Sequence, residues 1–66
     1  MVRYNKLWKL LLDKKIKKHE MIRMAGLSSY VLTKLNNNRT VTTETIAKIC
    51  IALDCTFDDI LEITQE

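Results

Sequence analysis

The sequence predicts an all-α fold of five short helices joined by polar turns. The chain of 66 residues has no proline and one glycine, which removes the usual material of hairpins and many-stranded sheets. Its apolar share, 47%, is too high for disorder. Apolar side chains also return at helical spacing in one segment after another. Residues 1–66 make up a single domain, which at this length buries only about 60% of the surface exposed by its unfolded chain. Its stability must come from a compact core or from self-association.

Tyr4, Leu7, Trp8 and Leu11 set the stripe of a first helix from Tyr4 to about Lys14, widened by Leu10 and Leu12, with Trp8 in the core. In the segment KKIKK that follows, Ile16 plugs into the core and the four lysines stay wet. A second helix runs from Lys18 to Met24, with Met21, Ile22 and Ala25 inward and Met24 joining Met21 as core filling. It stops at Gly26, which takes the left-handed conformation cheaply. Leu27 then enters the core and Ser28 stands at the N-cap of a third helix reaching Asn36.

That third helix turns Val31, Leu32 and Leu35 inward, and Ser29, Tyr30, Thr33 and Lys34 outward. The polar run NNNRTVT, Asn36 to Thr42, follows as a turn whose asparagines tolerate positive φ. Thr42 caps a fourth helix with Glu44 near its positive end and a stripe of Ile46, Ile49, Cys50 and Leu53. Asp54 to Thr56 makes another turn. Phe57, Ile60 and Leu61 form the apolar side of a last helix, and Leu61 to Glu66 alternates weakly, as a short strand does.

Net charge is only +3, but it is unevenly spread. Residues 1–39 hold ten Lys or Arg against Asp13 and Glu20, whereas residues 40–66 hold Lys48 against six acids. A basic half of this kind attracts phosphate, and the acidic half faces away or meets a partner. With no secretory signal and no apolar run of about 18 residues, the chain reads as cytoplasmic and free of membrane, where thiols stay reduced. Cys50 and Cys55 have no second cysteine pair or histidine at zinc-ligand spacing, so no metal is expected. His19 has no carboxylate or cysteine at ligand or triad spacing. No Gly-rich phosphate loop, paired-carboxylate cleft or nucleophile with a base appears, which argues against an enzyme and against any cofactor or small-molecule substrate.

Two short helices separated by a tight turn containing Gly make the helix-turn-helix pattern, here about residues 18–36. The likeness extends over nearly the whole chain. Through KLWKLL (Lys6 to Leu11), AGLSSYVLTKL (Ala25 to Leu35) and TIAKICIALDCTFDDILEI (Thr45 to Ile63), it resembles the lambda-repressor-like, Cro/Xre-type helix-turn-helix domain, especially its small stand-alone members. That resemblance implies a five-helix DNA-binding domain acting in bacterial or phage transcription control. The chain departs from it at Ile22, where the family usually has Ala, and at Lys17 or Lys18, where it often has Thr, Ser or Gln. Tyr30 stands where many relatives carry a small or amide side chain.

The demands of duplex DNA lead to the same assignment. A major groove about 12 Å wide admits one helix, whose first turns reach base edges. Ser28, Ser29, Tyr30, Thr33 and Lys34 are the expected base contacts, by hydroxyl, by aromatic edge to a thymine methyl, and by ammonium to guanine. Lys17, Lys18 and His19, at the positive end of the second helix, and Asn37, Asn38 and Arg39, after the third, are the expected phosphate contacts. One such domain makes few base contacts, so a homodimer on half-sites about 34 Å apart is expected, with Phe57 to Ile63 as its surface. The function expected is a sequence-specific double-stranded DNA-binding regulator, a repressor that occupies an operator. The alternative is a protein interaction module, as in an antitoxin or phage-type inhibitor, using Tyr30 and the basic surface.

Overall fold

The computed structural model of the chain describes residues 1–65. Their order is β1 (Val2–Arg3), α1 (Asn5–Lys14), α2 (Lys18–Ala25), α3 (Ser29–Asn36), α4 (Thr43–Leu53), α5 (Phe57–Ile60) and β2 (Glu62–Ile63). The five expected helices are present. The weak alternation after Leu61 becomes β2, paired antiparallel with β1 so that Val2 faces Ile63 and Arg3 faces Glu62. A lone two-stranded ribbon is marginal in water, and this one is extended by two bonds between Met1 and Thr64, each 2.8 Å, and backed by the packing of α1 on α5. No helix among the described residues is long and apolar enough to cross a membrane.

The core is drawn from every helix, but unequally. Leu7 and Leu11 of α1, Met21 and Ile22 of α2, and Ile60 of α5 surround Ile46, Ile49, Cys50 and Leu53 of α4, whose stripe is buried as its spacing predicts. Leu35 alone represents α3 among the fully buried residues. Val31 and Leu32 of α3, with Leu27 and Ile16 from the loops, are half-buried against this cluster.

Four helices end in the same kind of turn, which in α3 comes one residue later than in the others. Lys15, Gly26, Asn38 and Asp54 all adopt positive φ, and in each case the next amide reaches back to a carbonyl in the last turn. The bonds run Ile16 to Leu11, Leu27 to Ile22, Arg39 to Lys34 and Cys55 to Cys50, at 2.9–3.0 Å. An apolar contact between the two residues of such a pair frequently accompanies this motif. Three of the pairs are apolar or thiol and plug the core; the one that ends α3 is Lys34 with Arg39. At Gly26 (φ 68°) a Cβ would meet no atom within 4 Å, so glycine is there for its backbone freedom and not for space.

Several side chains differ from expectation. Helix α1 starts at Asn5 rather than Tyr4, and α2 runs one residue past Met24. Met24 is 53% exposed rather than core filling, because it lies beyond the edge of the buried Met21–Ile22 face, on the side of α2 away from Ile22. Leu12, at 78% exposed, lies outside the buried stripe. Trp8 is half-buried: its ring face carries the Lys18 ammonium, 4.1 Å from the ring centroid. Cys50 is a small core residue as expected, and burial pushes the neighbouring Cys55 thiol up to about 11, so it stays protonated at neutral pH.

Candidate nucleic-acid interface

The turn between α2 and α3 is Gly26, Leu27 and Ser28. Gly26 ends α2, Leu27 anchors the turn on the core, and Ser28 in extended conformation (φ −90°, ψ 162°) starts α3. Ser28 occupies the N-cap, but its hydroxyl accepts no bond from the helix, which corrects the capping role expected of it. The first turn of α3 also holds no acidic residue. Its positive end is therefore uncompensated by the N-cap side chain or a carboxylate.

On α3, the side opposite Leu35 is open to solvent. Ser28, Ser29, Tyr30 and Thr33 are exposed and Lys34 is half-buried. Lys34 Nζ lies 4.9 Å from the Tyr30 ring centroid, so the two are held as a pair. Thr33 Oγ1 donates to the Ser29 carbonyl at 3.3 Å, which commits its proton and leaves its lone pairs and methyl facing out. Each of the five expected base-contacting residues thus stands on one solvent-facing surface.

At the start of α2, Lys17 holds the N-cap position, where an ammonium has no lone pair to offer the helix amides. Glu20 instead accepts from the Lys17 backbone N–H at 3.0 Å. Lys17, Lys18 and His19 are all exposed. Lys18 is nonetheless engaged: besides covering Trp8, its Nζ donates to Asn36 Oδ1 at 2.8 Å. The start of α2 consequently adjoins the end of α3.

Beyond α3, Asn37 Nδ2 donates to the Thr33 carbonyl at 2.8 Å, Asn38 is half-buried with φ 55°, and Arg39 is exposed. An open cleft of about 450 Å³ lies here, lined by Tyr30, Thr33, Lys34, Asn37, Arg39 and Thr40. Two cations, three hydroxyls and an amide around one cleft suit an anionic, hydrogen-bonding surface. The Arg39 carbonyl accepts from the Tyr4 hydroxyl at 2.7 Å, and burial raises the Tyr4 pKa, keeping it a donor. Tyr4, Asn36 and Thr40 were not singled out from the sequence. Tyr4 reads there as one more apolar stripe residue, and nothing local shows that its hydroxyl meets a carbonyl 35 residues away.

An exposed second helix of a helix-turn-helix, hydroxyl-rich and flanked by cations, defines the class of helix-turn-helix DNA-binding proteins. The family model for the Cro/C1-type HTH DNA-binding domain matches residues 6–66. The chain belongs to that family, whose fold is that of transcriptional regulators rather than enzymes. A solved structure described as that of the transcriptional regulator VanUg is 43% identical and superposes with a TM-score of 0.94, over 98% of this chain and 87% of that one. None of the curated proteins matches the chain.

Proposed function

We propose that the chain is a sequence-specific, double-stranded DNA-binding transcriptional regulator, a cytoplasmic repressor that acts as a single domain and inserts α3 into the major groove. The observation that carries this reading is the open outer face of α3, from Ser28 to Lys34, at a helix start left uncapped by its N-cap side chain. Ser29, Tyr30 and Lys34 read bases, with Ser28 and Thr33 beside them. Lys17 and His19 at the start of α2, and Asn37, Asn38 and Arg39 after α3, hold phosphates. The family and the VanUg regulator support DNA binding and transcription control.

Repression follows from occupancy of an operator that polymerase must use, and adequate affinity calls for two copies. Each copy is about 31 Å in its longest dimension, so two fit on half-sites about 34 Å apart. The exposed Phe57 and Ile63, beside the acidic Asp58 and Asp59, are the proposed contact between copies.

Binding to random duplex DNA, titrated with salt, tests the reading. Affinity should fall steeply as salt rises; absence of duplex affinity at every salt would favour a protein interaction module. Lys34→Ala should cost roughly 1 to 3 kcal/mol and relax preference at one base position, whereas Lys17→Ala should weaken all sequences alike. Identical behaviour of the two variants would defeat the division into base readers and phosphate contacts. Selection from a random duplex pool should recover a palindrome.

A further inference from the structure

Resting on the DNA-binding reading, we propose that Lys18 is a positioning residue for α3 rather than a phosphate contact. Its ammonium has two partners already in place. It lies 4.1 Å from the Trp8 ring centroid on α1 and donates to Asn36 Oδ1, 2.8 Å away, on the last residue of α3. Lys18 is itself the first residue of α2, so a single side chain joins three helices.

The arrangement suits a cation on two further grounds. Asn36 belongs to the last turn of α3, at the negative end of the helix dipole, where a cation is stabilising. The aromatic face below offers a second negative surface to the same ammonium. At the start of its own helix, by contrast, a lysine side chain can cap nothing, so the site is of use to α3 and not to α2.

The consequence concerns how α3 is held. Leu35 is the one fully buried residue of α3, with Val31 and Leu32 half-buried beside it, so contacts at the ends of the helix add to what holds its angle. The Lys18–Asn36 bond fixes the end of α3 from the α2 side, and the Tyr4 hydroxyl fixes the loop after it through the Arg39 carbonyl. Between them these contacts set the angle at which Ser29, Tyr30 and Lys34 meet a groove. Moving Lys18 onto a phosphate would give up both the ring and the amide.

The test compares K18M, N36A and the K18M/N36A double variant with wild type and with K17M, in the full chain. Affinities are measured over a salt series for a random-sequence duplex and for the duplex recovered by selection. A positioning role lowers the preference for the selected over the random duplex by about fivefold in K18M and in N36A, the equivalent of one typical hydrogen bond, and leaves the K18M salt slope at the wild-type value. In K17M, by contrast, the slope should drop by about 0.9, one phosphate contact. If K18M shows that same drop with selected and random duplexes weakened equally, Lys18 holds phosphate and the proposal is overturned. A lower melting temperature with preference unchanged overturns it too, since Lys18 would then be merely structural. Thermal melting of the DNA-free protein keeps the two readings apart: coupled loss, in which the double variant melts no lower than K18M, supports the strut, and additive loss overturns it. Wild-type protein without duplex affinity would instead defeat the DNA-binding reading.

Discussion

Helices α3 and α4 are adjacent in the chain and are built to opposite ends. In α4, four residues are buried, the Thr42 hydroxyl accepts from the Thr45 amide at 3.1 Å, and Glu44 sits in the positive first turn. In α3, only Leu35 is buried, the Ser28 hydroxyl makes no bond to the helix, and the first turn has no acid. The devices that stabilise a helix start, a capping hydroxyl and an acid in the first turn, are present in α4 and missing from α3. The difference teaches that α3 is held by its neighbours and kept incomplete at the end and on the face where a ligand would supply the missing partners.

The C-terminal motif repeats the lesson. It closes α4 with Cys50 against Cys55, two buried or half-buried thiols, and α3 with Lys34 and Arg39, two cations on an open cleft. One backbone solution therefore serves the core in one place and solvent in the other. Only the side chains decide which.

The largest expected effect falls on the buried anchors. Ile49→Ala should cost about 2 to 5 kcal/mol in denaturant unfolding, and Leu35→Ala the same range. The comparison would be broken if Ile49→Ala, at a temperature where both variants remain folded, impaired duplex binding as much as Leu35→Ala. Next comes the turn. Gly26→Ala should cost roughly 1 to 2 kcal/mol despite the open space around it, because the left-handed conformation itself is the penalty. Asp54→Gly, at the equivalent site after α4, should raise the melting temperature, since Asp54 bears that penalty at φ 53°.

The caps sharpen the contrast at smaller scale. Thr42→Ala should lose about 1 kcal/mol, the worth of a typical N-cap, while Ser28→Ala should leave the melting temperature of the DNA-free protein nearly unchanged and weaken duplex binding. Equal destabilisation by the two would show that α3 is capped after all. The smallest effect is at α5, where Asp59 accepts from the Thr56 amide and hydroxyl at 2.9 and 3.1 Å, bonds that hold its carboxyl below the ordinary 3.8. A depressed carboxylate contributes stability that is complete above its unfolded pKa and is lost as pH falls through its lower folded value. The melting temperatures of wild type and Asp59→Asn should therefore differ at neutral pH and converge in acid.

Much of this was legible in the residues. The stripe of Ile46, Ile49, Cys50 and Leu53 named the buried face of α4, the lone glycine named the end of α2, and the hydroxyls and one lysine from Ser28 to Lys34 named the outer face of α3. Spacing is enough for these, because a helix converts a period in sequence into a side in space. Spacing was misleading for Met24 and Leu12, which follow the apolar pattern closely enough to be counted yet point to water. A 66-residue molecule has too little interior for every apolar residue it carries.

What the sequence by itself determined is which elements form and which faces they bury or show, since propensity, periodicity and turn chemistry act between near neighbours. The tertiary structure alone decided the contacts that cross the chain: Val2 with Ile63, the Tyr4 hydroxyl on the Arg39 carbonyl, and the Lys18 ammonium between Trp8 and Asn36. No local pattern encodes these. They exist because packing α2 on α3 and α1 on α5 brings residues far apart in sequence within hydrogen-bond reach, where geometry and not periodicity selects the partner.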